Sequence, residues 1–139
     1  MPPVGPLVSV VLPTYNEAES LAVIVPRIAE TLSAAQIAYE ILVVDDGSPD
    51  GTADVAERLA QRYELRVIRR KDERGLATAV LQGFAQARGS VCVVMDADGS
   101  HPVGVLPTMT RMIAEDKADI VVGSRNIRGG GSRNWPLFS

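Results

Sequence analysis

The stretch "VCVVMDADGSHPV", residues 91 to 103, decides how the rest of the chain is read. Its first five residues are apolar, three of them valine, with no polar residue in alternation. That pattern predicts a strand covered on both faces, as in a parallel sheet. The strand runs into two aspartates one residue apart, Asp96 and Asp98. Along a strand, side chains two apart leave the same face, so these two can point the same way, with backbones about 6.6 Å apart. At an effective dielectric of about 20, two full charges at that spacing repel by roughly 2.5 kcal/mol. A divalent cation is the simplest way to offset that repulsion.

Working outward, four more apolar runs share this character: "LVSVVL" (7 to 12), "YEILVV" (39 to 44), "LRVIR" (65 to 69) and "DIVVG" (119 to 123). Between them the apolar residues recur at helical spacing. Leu21, Ile24, Ile28 and Leu32 make one stripe, with Asn16 and Glu19 as its expected capping box. Pro26 is expected to kink that helix or end its first part. Ser48 and Pro49 read as the cap and first turn of a second helix carrying Val55 and Leu59. Leu76, Val80, Phe84 and Ala87 form a third stripe. Leu106, Met109 and Ile113 form a fourth, entered through Pro102. The alternation predicts a doubly wound, mostly parallel α/β sheet with helices on both faces and right-handed crossovers.

The totals bound the function. With 139 residues the chain is one domain by length. A formal charge of −3 gives no cationic field to attract a phosphate backbone, so no nucleic-acid partner is expected. The local basic run "RVIRRKDER", residues 66 to 74, reads as a solvated turn after a strand. The single cysteine, Cys92, rules out an intrachain disulfide and reads as a small buried apolar group. No signal peptide or membrane span is apparent, which predicts a soluble, cytoplasmic domain.

In such folds ligands bind beyond the carboxyl ends of the strands, and the polar residues gather there. "PTYNE" (13 to 17) follows the first strand and "DDGSPDGT" (45 to 52) the second. "DADGSH" follows the fourth and "GSRNIRGGGSRNW" (123 to 135) the fifth. Three of these loops carry acids; the last carries Arg125, Arg128 and Arg133. Acids that hold a metal, facing arginines that hold phosphate, describe a diphosphate site. Read singly, "DDGS" is also an ordinary helix cap and each arginine a surface residue. Neither a G-x-x-x-x-G-K-[ST] loop nor a G-x-G-x-x-G turn is present, which argues against P-loop and dinucleotide enzymes.

These motifs, with "RGLATAVLQGF" at 74 to 84 and "GSR" at 123 to 125, resemble in order and spacing the family 2 glycosyltransferases of GT-A fold, nearest the polyprenyl-phosphate (dolichyl-phosphate) mannose synthases. The resemblance covers essentially the whole chain and implies roles at matching positions. Pro13, Tyr15 and Glu17 would line the nucleoside pocket with Val44 and Asp46. Asp96 and Asp98 would hold Mg²⁺ or Mn²⁺ against the diphosphate, with Ser100 as an outer metal contact and Ala97 touching the nucleotide through its backbone. Arg125 would bind the phosphates, and Asp98 and Arg125 would serve the chemistry. The implied donor is a nucleotide-diphosphate sugar, GDP-mannose ahead of UDP-glucose. The implied acceptor is a polyprenyl phosphate at the membrane surface, which would make the domain peripheral to the cytoplasmic face. His101 and Arg74 read as helix-end residues.

Members of that family continue on the acceptor side beyond the position of Ser139, so residues 1–139 are expected to be one incomplete domain. Trp135 and Phe138 suit either the start of an amphipathic segment or packing on the sheet edge. Two other classes compete. One is a non-catalytic sugar-nucleotide-binding fragment. The other is a phosphatase using "DADGS" as a nucleophile loop, with Asp96 phosphorylated and Asp98 as acid/base. The phosphatase reading suffers because Lys117 is the only lysine after the motif and the acidic pair lies upstream.

Overall fold

The computed structural model describes residues 6–71, 75–99, 102–114 and 120–123. Its five strands are β1 (Val8–Thr14), β2 (Tyr39–Asp45), β3 (Leu65–Arg69), β4 (Val91–Met95) and β5 (Ile120–Gly123). They form one sheet in the order β3-β2-β1-β4-β5, and every neighbouring pair is parallel. The strands are predominantly apolar because both faces are covered. Val8, Val10 and Leu12 of β1 face one core with Ile41, Val43, Val93 and Met95. Val11 faces the other with Leu42, Val44, Ile68 and Val94.

Three helices, α1 (Ala18–Ala34), α2 (Thr52–Leu59) and α4 (Leu106–Ala114), pack on the first core, and α3 (Leu76–Gln86) covers the second. The expected stripes on α1, α3 and α4 are the packed faces: Leu21, Ile24, Ile28 and Leu32; Leu76, Val80, Phe84 and Ala87; Leu106, Met109 and Ile113. Since α1 and α4 share a face but connect strands that step in opposite directions, their crossovers have opposite hands. Right-handedness throughout, expected from the sequence, fails for one connection. In it a short 3-10 turn, Val103–Val105, carries the chain onto α1's face before α4 begins.

Local expectations need three corrections. Pro26 does not end the first part of the helix: it lies inside α1, which runs from Ala18 to Ala34. Burial of Leu21, Ile24, Val25, Ile28, Ala29 and Leu32 outweighs one absent backbone bond. Asn16 does not cap α1: it adopts a left-handed φ of 58°, and the cap position is Glu17. The second helix begins at Thr52, after Gly51 at φ 84°, and not at Ser48 and Pro49. At the far end of α1, Gln36 in the left-handed region and the Ile37 N–H bond to Leu32 O make a Schellman stop.

α3 approaches β1 through a glycine. A Cβ on Gly83 would lie 2.5 Å from Cγ1 of Val11, a fully buried, β-branched side chain with little freedom to move. Gly83→Ala is therefore expected to destabilise the fold by about 1–3 kcal/mol despite alanine's better helix propensity. A urea midpoint equal to or above that of the unsubstituted chain would refute this packing.

Candidate functional site

β1 is flanked by β2 on one side and β4 on the other, so the chain reverses its direction of travel across the sheet there. Such a switch point leaves a crevice at the carboxyl ends of the strands. The loops after β1, β2 and β4 surround it, and hydrogen bonds stitch the first two together. Buried Asp45 accepts from Thr14 Oγ1 at 2.9 Å, from the Ser48 N–H at 2.9 Å and from Ser48 Oγ at 2.6 Å. Ser48 Oγ in turn accepts the Asn16 N–H at 2.8 Å. Thr52 Oγ1 accepts the Glu17 N–H at 3.0 Å, and Asp50 Oδ2 the Ala18 N–H at 3.3 Å. Two of the orphan donors where α1 begins, the Glu17 and Ala18 N–H groups, are thus satisfied by the next loop. Asp50 also accepts from the Thr52 hydroxyl and from the Thr52 N–H at 3.0 Å; the hydroxyl above all, then the Ala18 and Thr52 N–H groups, hold its carboxyl below the usual aspartate range.

β4 ends at Met95, and Asp96 to Gly99 form a turn, with Gly99 at φ 80°. The strand spacing expected for the two aspartates is therefore replaced by turn geometry. Ala97 is buried in the first core at 1% exposure and pins the turn, while Asp96 is half-buried and Asp98 exposed. Glu17 stands near both. Its carboxyl is pushed up by burial first and then by the charges of Asp98, Asp96 and Asp50, against a lowering hydrogen bond from Ser20. Negative charge is concentrated at this rim, as a cation site requires. Among the described residues no three His, Cys, Asp or Glu side chains group into a complete metal site. Hard oxygen donors in a partial shell fit Mg²⁺ or Mn²⁺ completed by water and phosphate oxygens. A groove of about 350 Å³ runs from Asp98 and Gly99 along Glu19, Val23 and Arg27 of α1 to Val103.

A second cleft, about 180 Å³, opens between β1 and α3 and is lined by Pro13, Thr14, Tyr15, Asp46, Leu76 and Ala79. It brings together three of the residues expected at a nucleoside pocket: Pro13, Tyr15 and Asp46. Glu17 is elsewhere, beside the aspartate turn. Val44's side chain is fully buried in the second core beneath. Ser100, His101, Arg74, Arg125, Arg128, Arg133, Lys117, Trp135 and Phe138 lie outside the described residues.

Sequence reading missed the basic residues that matter here. Arg70, expected in a solvated turn, is 5% exposed. It grips Asp46 with Nε to Oδ1 at 2.6 Å and Nη2 to Oδ2 at 3.3 Å. Arg69 bonds Asp54 at 3.0 Å on the surface, and Arg66 bonds Glu40 at 2.9 Å. A charge run along a strand end alternates faces, so its members meet three different environments. Cys92 is half-buried, and burial followed by the nearby Glu40 charge pushes its thiol up.

The family model for glycosyl transferase family 2 matches residues 9–139. The chain is 47% identical over 131 residues to a dolichol-phosphate mannosyltransferase of Pyrococcus furiosus, covering 94% of this chain and 36% of that protein. It is 44% identical over 132 residues to a polyprenol monophosphomannose synthase of Mycolicibacterium smegmatis, covering 91% of this chain and 48% of that one. The chain thus spans between about a third and a half of these relatives' length. Among solved structures, the mannosyltransferase PcManGT from Pyrobaculum calidifontis in complex with GDP-Man and Mn²⁺ superposes with a TM-score of 0.60 at 28% identity, covering 78% of this chain and 32% of that one. Among the described residues, no helix is long and apolar enough to cross a membrane.

Proposed function

The chain belongs to glycosyl transferase family 2, and from that premise we propose that it binds GDP-mannose with a divalent cation and passes the mannosyl group, with inversion, to a polyprenyl phosphate. One observation carries this reading. Around a single switch point the fold gathers an acidic turn, Asp96 to Gly99, and a cleft lined by Pro13, Tyr15 and Asp46. An acidic rim beside a partly apolar cleft suits the two ends of a nucleoside diphosphate. The relatives' names and the GDP-Man and Mn²⁺ complex of the Pyrobaculum protein support the choice of base, sugar and ion.

In this reading Asp96 and Asp98 hold the ion, and Asp46 accepts an N–H of the base. Tyr15, 44% exposed at the mouth of the cleft, covers the base or ribose. Ser100 and Arg125 take the outer metal contact and the phosphates by resemblance. The bound cation supplies Lewis-acid stabilisation of the charge gathering on the departing nucleoside diphosphate. A phosphate acceptor, with a second pKa of about 6, is already ionised at neutral pH and needs no general base. The chain carries no Asp or Glu from Gly123 to Ser139, in keeping with such an acceptor.

Titration calorimetry tests the donor half. GDP-mannose is expected to bind in Mn²⁺, to lose binding in a chelator, and to outcompete UDP-glucose. Equal binding with and without Mn²⁺ would defeat the reading. Transfer to a polyprenyl phosphate, assayed on this chain and on a longer one, tests the acceptor half and separates an enzyme from a donor-binding fragment.

A further inference from the structure

Resting on that donor reading, we propose that Arg70 is the positioning residue of the nucleobase cleft: it locks Asp46 in one orientation and ties it to the start of α3. The fork geometry is the first support. Nε and Nη2 take the two carboxylate oxygens separately, and the Gly75 N–H reaches Oδ2 at 3.0 Å. Three donors on two oxygens leave the carboxylate no second rotamer that keeps them. The same Nη2 also donates to Gly75 O at 3.2 Å and to Thr78 Oγ1 at 2.9 Å. Gly75 and Thr78 open the helix whose Leu76 and Ala79 form the cleft's far wall. One guanidinium therefore sets both the acceptor on one wall and the distance to the other.

The second support is what this costs. The Arg70 side chain is 2% exposed, and its Nη1 is buried without a hydrogen-bond partner among the described residues. A buried ion pair with an unsatisfied donor is a poor stabiliser, and apolar side chains of similar volume in place of both partners commonly do as well or better. Stability alone does not account for the Arg70–Asp46 pair. A preformed base site does, because holding Asp46 in advance removes the ordering cost that a ligand would otherwise meet.

The test compares ligands with and without a base, each in Mn²⁺: GDP and inorganic pyrophosphate, titrated into the unsubstituted chain, Arg70→Met and Arg70→Lys. Arg70→Lys keeps a buried charge opposite Asp46 but lacks the fork, which guards against misfolding of the methionine variant. We expect GDP affinity to fall about tenfold in both, the size of one charge-assisted hydrogen bond, with pyrophosphate affinity unchanged. GDP affinity held in either folded variant, or both ligands weakened together as a merely structural role predicts, overturns the inference. A parent chain that binds pyrophosphate but gains nothing from guanosine overturns it alone. A parent chain that binds neither ligand in Mn²⁺ defeats the donor reading and the inference with it.

Discussion

Replacing Asp98 with asparagine is expected to abolish Mn²⁺-dependent binding of GDP-mannose, a loss greater than about a hundredfold, while leaving the fold intact. The two halves of this expectation have separate causes. Asp98 is exposed on a turn whose anchoring is done by its neighbour, Ala97, buried in the first core. Asparagine keeps the shape and part of the hydrogen bonding of aspartate, so the turn should persist. What changes is charge. Losing even an outer-shell partner of a metal site costs about 10–100-fold in affinity, and a charged ligand should cost more. Removing the Asp98 charge also relieves Glu17, whose raised pKa owes more to Asp98 than to any other single charge. A substituted chain that melts with the parent yet shows no Mn²⁺ dependence supports the assignment. Unchanged GDP-mannose affinity in Mn²⁺ would sink it.

The sheet was legible because its signal is local. A strand buried on both faces is apolar at most of its positions, and the "VSVV", "ILVV" and "VCVV" runs allow little else. Helix stripes were legible for the same reason, down to Leu76, Val80, Phe84 and Ala87 on the second core. Polar partnerships were not, because they join residues far apart in the chain. Asp50 and Thr52 accept the Ala18 and Glu17 N–H groups, 32 and 35 residues earlier, by bonds that sequence spacing cannot show. Asp46 was singled out from its loop, but Arg70, its partner 24 residues on, looked like one basic residue among several. The aspartate pair shows the converse. Its importance was inferred from extended-strand geometry, yet the strand stops at Met95 and a turn sets the two side chains. Nothing in "MDADG" fixes where β4 ends. The pairing with β1 and β5 does, and that is a tertiary fact.

The largest stability effect is expected far from the site, at Glu40. This residue is 6% exposed on β2, on the α3 face of the sheet and toward the opposite end of the strands from the cleft. Ser9 Oγ donates to Oε2 at 2.5 Å, the Arg88 N–H to Oε2 at 2.6 Å and Arg66 Nη2 to Oε1 at 2.9 Å. Ser9 Oγ itself accepts the Gly89 N–H at 2.8 Å. One carboxylate thus joins β1, β2, β3 and the segment between α3 and β4. Burial alone would raise its pKa, but the hydrogen bonds from Ser9 and Arg88 and then the hydrogen bond and charge of Arg66 outweigh burial and lower it below the ordinary 4.5. Glu40→Leu strands these donors at once. Removing one member of a buried pair costs about 3–5 kcal/mol, and Arg66, which reaches solvent, should hold the loss near the lower figure. The sign of the pH dependence follows from the lowered pKa. The unfolded chain binds this proton more readily, so the contribution is full above pH 4.5 and fades as acid titrates the folded carboxylate. Urea unfolding of the parent and Glu40→Leu at pH 7 should therefore differ by about 3 kcal/mol, and the gap should narrow as the pH falls below the ordinary glutamate value. A difference under about 1 kcal/mol at pH 7, the range of an exposed ion pair, would mean that the cluster does not hold the sheet together.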